Sequence, residues 1–240
     1  MLRSIVTKLT FLLSLAALSL VSAEAAFPTC QEALTLPRQS SNEIAELYTQ
    51  AKTVLPILES FLKHVAAKTA ASAEGIGLKL NDRFEKKTGL RKGGDPSFVL
   101  DIARGALIAE NIEGVFKLVR ELEQSANAYG IRVVRLKERF TTPKESGYRD
   151  VQVNLAIELP GSTDVHIVEV QVHLRSLYEL KKIHGDELYR EIRSLEESGQ
   201  SPERLQELKK EHRKLFEETY QKNVFNLQPQ NAWDHNRKIA

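Results

Sequence analysis

Asp101, Tyr148 and Glu169, with the lysines and arginines around them, are the side chains of this chain best suited to chemistry. An acid at the mouth of one strand and another inside a second can converge on one divalent cation. A hard cation such as magnesium takes oxygen ligands and keeps positions open for waters and substrate phosphates. The spacing that suggests two such strands is clearest in Gly147-Tyr148-Arg149-Asp150-Val151-Gln152-Val153-Asn154 and in Val168-Glu169-Val170-Gln171-Val172-His173. In the first, Arg149, Val151, Val153, Leu155 and Ile157 alternate with Tyr148, Asp150, Gln152, Asn154 and Ala156, the period of a half-buried strand. In the second, Val168, Val170, Val172 and Leu174 alternate with Glu169, Gln171 and His173. The resulting polar row holds acids, an aromatic, an imidazole and amides, with no lysine and no serine or threonine run, which suits a site lining better than a solvated face.

The elements that must carry these residues follow from turn and capping chemistry. Pro160-Gly161-Ser162-Thr163-Asp164 is a turn, so the two runs pair as an antiparallel hairpin. Asp101 to Ala109 reads as a short apolar strand entered by Asp101 and containing Arg104. Asn111 caps a helix over Ile112 to Tyr129, stopped by Gly130, and a strand follows on which Arg135, Lys137 and Arg139 alternate. Lys79, Arg83 and Lys87 share one face if Leu78 to Thr88 is helical. Ser40 to Glu43 has the form of a capping box, ahead of a stripe from Ile44 to Val65 that Pro56 is expected to kink or split. A further helix is expected from Ser176 to Leu195. An amphipathic one opens at Ser201-Pro202-Glu203 and runs to about Asn223, packing back on the domain. The fold class is therefore α/β of the α+β kind: a mixed sheet of about four to five strands flanked by helices, with an added N-terminal helical segment and a C-terminal amphipathic helix.

Composition sets the bounds. Arg3 and Lys8, the apolar run Leu9 to Val21 and Ala23-Glu24-Ala25 form a signal peptide over residues 1–25; the run falls short of the roughly 20 apolar residues of a membrane span. The expected product is exported, periplasmic or secreted, with no membrane association after cleavage. Residues 26–39 read as a flexible segment, 40–225 as one domain with flanking helices, and 226–240 as an irregular tail. Without Arg3, Lys8 and Glu24, the 34 basic and 32 acidic residues leave a nearly neutral chain, so general adhesion to DNA is not expected, although a local basic channel is. Cys30 is the only cysteine, which excludes an internal disulfide and a thiolate metal cage.

The order of the motifs, an opening Asp101, then Gly147-Tyr148-Arg149, then Glu169-Val170-Gln171, resembles the synthetase domain of the RelA/SpoT-type alarmone synthetases. The resemblance spans about residues 75 to 195. It implies a nucleotidyltransferase-like fold and transfer of pyrophosphate from ATP to the 3′ hydroxyl of a purine nucleotide or of a tRNA end. Asp101 and Glu169 would be the catalytic pair and hold Mg2+. Lys79, Arg83, Lys87, Arg104, Arg139, Tyr148, Arg149, Gln171 and His173 would bind nucleotide, with Tyr148 stacking the acceptor base and Lys79, Arg83 and Lys87 fencing the ATP phosphates. Phosphoryl transfer is mainly positioning and charge neutralisation, which calls for a carboxylate-held metal and fixed cations.

This chain departs from the family pattern in places. Arg104 and Ala106 stand where the family has Gly and Arg, Asp150 and Gln152 where it has a small residue and His, and His173 where it has Arg. Each exchange removes or relocates a positive charge or a proton carrier. An export signal also delivers the chain where nucleoside triphosphates are scarce. Two readings meet that conflict: an effector or toxin acting inside another cell, or a binding module that has kept the fold and lost catalysis. Self-association into a homo-oligomer through the last helix is the alternative to its packing back on the domain.

Overall fold

The computed structural model describes residues 36–79, 94–199 and 201–225. The expected signal peptide, Cys30, Arg83, Lys87 and the tail from 226 onward lie outside the described residues.

Helix α1, Ile44–Thr69, buries Leu47, Ala51, Val54, Leu58, Phe61, Leu62 and Val65 along one stripe. Its entry is held one residue later than the capping box suggests: Ser41 Oγ accepts from Glu43 N at 3.0 Å and donates to Glu46 Oε2 at 2.7 Å. Pro56 does not split it. Pro56 and Lys52 both lie on the exposed side, so water can satisfy the one carbonyl that loses its partner. Gln39, at the end of the expected flexible segment, is buried instead. Its side chain donates to Val99 O and Ile167 O at 3.0 and 2.8 Å and accepts from Ile167 N at 2.8 Å, tying the entry of α1 to the sheet.

Strand β1, Ser72–Leu78, has too weak an apolar alternation to show in the sequence. It corrects the start of the helix expected over Leu78 to Thr88, since Leu78 is extended and pairs with Ala103; residues 80–88 lie outside the described residues. Strands β2 (Ala103–Ala109), β3 (Ile131–Glu138), β4 (Val151–Glu158) and β5 (Val165–Leu174) complete a five-stranded sheet of order β1-β2-β5-β4-β3. β4 and β5 form the expected antiparallel hairpin, and β2 runs parallel to β5. The helix between β2 and β3, α2 (Ile112–Ala126), starts where Asn111 Oδ1 accepts from Gly114 N at 2.8 Å and gives way at Gly130 with φ +66°.

Helices α1 and α2 cover one face of the sheet, where Val168, Val170, Val172, Val153 and Leu155 make the core. The other face carries the polar row. The segment expected as one helix after Ser176 is broken into α3 (Arg175–Leu180), a π turn (Lys181–Gly185) and α4 (Asp186–Ser198). Tyr178 of α3 covers Ala106 and Ile108. Helix α5, Pro202–Phe225, begins with proline at its first position and contacts α3 and α4. Among the described residues no helix is long and apolar enough to cross a membrane.

Candidate active site

The register of three strands assembles the polar row. Arg104 on β2 lies beside Glu169 on β5, which lies beside Asn154 on β4; one step along, Gln171 faces Gln152, and Gln152 faces Lys137 on β3. Residues paired in register share a face, so Arg104, Glu169, Gln171, Gln152, Asn154, Lys137 and Arg135 project together.

Glu169, 9% exposed, sits in the middle of this face. One carboxylate oxygen accepts from Gln152 Nε2 and the other from Gln171 Nε2 at 2.8 Å. Gln171 Oε1 in turn meets His173 Nε2 and Lys181 Nζ, each at 3.2 Å. Burial, helped by the Lys181 ammonium, pushes the His173 imidazole well below its ordinary range, so it is neutral. It packs between Tyr148 and Tyr178, with centroids at 6.3 and 5.2 Å, as part of the floor rather than as an exposed cation.

Tyr148 stands at the end of the row. Its hydroxyl donates to Asp150 Oδ2 at 3.0 Å; Asp150, 1% exposed, also takes Arg139 NH1 at 2.5 Å, while Arg139 NH2 donates to Gln152 Oε1 at 2.7 Å. Burial and the neighbouring Asp150 carboxylate raise the Tyr148 phenol well above its ordinary value, keeping it protonated. The Lys144 and Lys181 ammonium groups lie 5.0 and 5.8 Å from the ring centroid. Two cations beside an aromatic ring suit a ligand with a flat base and negative charge.

Asp101 precedes β2, three residues before Arg104, at the entry of the strand next to the one bearing Glu169. Its Oδ2 accepts from Lys79 Nζ at 3.1 Å, and both side chains are about nine-tenths buried. Lys79, expected to share a helix face with Arg83 and Lys87, instead extends β1, with its N–H on Ile102 O at 2.7 Å.

Nor does the structure bring Arg149 to this face. Its valine-row parity turns it the other way, where it donates to Phe140 O and Glu217 and lies 4.2 Å from the Tyr220 ring centroid. Of the expected nucleotide-binding set, Arg104, Arg139, Tyr148, Gln171 and His173 are gathered on or beneath one surface. Lys79 is drawn to Asp101, Arg149 turns away, and Arg83 and Lys87 lie outside the described residues. Sequence reasoning missed Lys144 and Lys181. Lys144 precedes the tyrosine in the same loop and was open to notice, but Lys181 arrives from the irregular end of α3, which no periodicity marks.

The donor set bears on a metal. Asp101 and Glu169 offer hard carboxylate oxygens, the ligand type that cations such as magnesium take. Among the described residues no group of three or more His, Cys, Asp or Glu side chains could hold a metal. A cation of the magnesium class held by such oxygens would take its other ligands from water and substrate phosphates.

A five-stranded mixed sheet in this order, helices packed on one face and a polar row on the other, defines an α+β fold of the nucleotidyltransferase-like, alarmone-synthetase type. It is shared with small alarmone synthetase 2 from Bacillus subtilis at a TM-score of 0.59 and 19% identity, over 76% of this chain and 95% of that one. A GTP pyrophosphokinase family protein from Streptococcus pneumoniae matches at 0.57 and 13%, over 82% and 98%. A type VI effector in complex with its immunity protein matches at 0.54 and 17%, over 74% and 96%. No protein-family model and no curated protein matches the chain in sequence.

Proposed function

We propose that the chain is a pyrophosphokinase that moves the β,γ-pyrophosphoryl group of ATP to the 3′ hydroxyl of a purine nucleotide or of a tRNA end. The observation that carries this reading is Glu169 at the centre of the polar face, flanked by Arg104 in register and by Tyr148 with its two lysines, on an alarmone-synthetase fold. Asp101 and Glu169 would hold magnesium, which supplies charge neutralisation on the triphosphate. Tyr148 stacks the acceptor base. Glu169 takes the proton as the acceptor oxygen bonds to the β-phosphorus of ATP, and the bond from that phosphorus to the α,β-bridging oxygen breaks, its electron pair leaving with AMP. Arg104, exposed beside Glu169, faces the charge that develops on the transferred group.

The export signal expected over residues 1–25, together with the likeness in fold to a type VI effector, supports action inside a target cell as an effector or toxin. A second reading, a nucleotide- or anion-binding module without catalysis, rests on the hydrogen bonds that already engage both carboxylates: Lys79 on Asp101, and Gln152 and Gln171 on Glu169. Incubation of the mature chain with ATP, magnesium and a panel of GTP, GDP, ATP, ADP and uncharged tRNA separates the two. AMP release with at least one acceptor is expected; nucleotide binding with no AMP from any acceptor would leave the binding module.

A further inference from the structure

The loop that carries Tyr148 leaves the sheet after β3 and returns at β4. Between its own residues 144 and 148 it has two backbone hydrogen bonds, Lys144 N to Tyr148 O at 3.2 Å and Gly147 N to Lys144 O at 2.8 Å. Helix α5 supplies a second set of anchors. His212 donates from Nδ1 to Ser146 O at 2.6 Å, and Arg213 donates from Nε to Glu145 O at 2.7 Å. The His212 ring stacks on Phe216 at 4.5 Å and 11°, and Phe216 packs on Tyr148 with centroids 5.8 Å apart. His212 and Phe216 are 2% and 1% exposed, so the stack they form is buried, while the Arg213 bond lies at the surface. Gly147 shows how close the approach is: at φ +79°, a Cβ there would stand 2.8 Å from Arg213 Cα.

We propose that α5 is the positioning element of the acceptor half of this site, acting through Phe216 and His212, which hold Tyr148 and Lys144 in place before any ligand arrives. This rests on the reading of Tyr148 as the acceptor-stacking residue. Arg104 on β2 and Glu169 on β5, which would face the ATP phosphates, are placed by the strand pairing, and Asp101 stands just ahead of β2. A loop left unanchored has to be ordered at the moment of binding, and that cost falls on acceptor affinity alone.

The test compares the full mature chain with Phe216→Ala and His212→Ala, with Phe216→Leu and His212→Asn as conservative partners that keep apolar volume and a side-chain N–H donor. The expected result is a rise of about tenfold in acceptor KM, with ATP KM within about twofold of wild type and partial recovery in the conservative pair. Hydrogen exchange supplies a readout independent of catalysis. In the alanine variants the amides of Lys144 and Gly147 should exchange faster, while those of Val153 and Val170 keep their protection. Equal increases in both KM values, or unchanged exchange in the loop of a folded variant, would overturn the proposal. If the wild-type chain releases no AMP, the pyrophosphokinase reading fails and the exchange comparison still decides the role of α5.

Discussion

At the scale of the residue, the site is a set of charges whose neighbours fix their state. Tyr148→Ala removes the stacking surface and leaves Glu169 and Asp101 in place. Acceptor use should fall far more than ATP binding, and isothermal titration with each nucleotide separately would reveal an equal loss if Tyr148 had no stacking role. Lys79 and Asp101 form a buried ion pair, and Lys79→Met removes its positive half. Lys79→Met should cost about 3–5 kcal/mol in urea unfolding, with Asp101→Asn in the same chain recovering part of it. His166 is buried against Gln50, and desolvation lowers its pKa from 6.5 to about 4. The unfolded chain therefore binds this proton first: stability is intact above about pH 6.5 and falls as pH drops toward 4, by on the order of 3 kcal/mol. His173 and His212 are shifted by burial in the same direction, so His166→Gln should flatten part of the acid limb of a pH–stability curve and leave the rest.

At the scale of the element, alternation carried most of the information. The β4–β5 hairpin was legible because Val168, Val170 and Val172 interleave with Glu169, Gln171 and His173, and a period of two fixes which residues share a face. The same parity turns Arg149 away from Tyr148, toward Glu217 and Tyr220. β1 was hidden because two glycines and a glutamate dilute its pattern and its pairing with β2 is a tertiary event. The break at Lys181–Gly185 was hidden for the opposite reason, since a helical period continues through a π turn that re-aims Lys181 toward Gln171. Gly147 links loop and helix by backbone contact. Gly147→Ala meets both a left-handed φ and Arg213, and should lower stability by about 1–3 kcal/mol in thermal or urea melts; an unchanged midpoint would mean that α5 does not press on this loop.

At the scale of the whole molecule, one sheet separates two tasks. α1 and α2 bury its valine face and give the domain its stability, while the opposite face is spared for amides, carboxylates and cations. The motif order Asp101, Tyr148, Glu169 made the fold readable, and the five-stranded topology and its structural likenesses agree with it. Less readable was how the site is charged. Lys144 and Lys181 beside Tyr148, the neutral His173 and the Arg139–Asp150 pair all depend on burial and on contacts between distant segments. The central claim is that Glu169 takes part in moving pyrophosphate from ATP to an acceptor hydroxyl. Its most direct test follows label from ATP carrying 32P at the β position into the acceptor, with magnesium, for the wild-type mature chain and for Glu169→Gln. Labelled acceptor and equimolar AMP are expected from the wild type and at least a thousandfold less from a folded Glu169→Gln chain, on the order of 4 kcal/mol of transition-state stabilisation; equal transfer by both would contradict a role for Glu169.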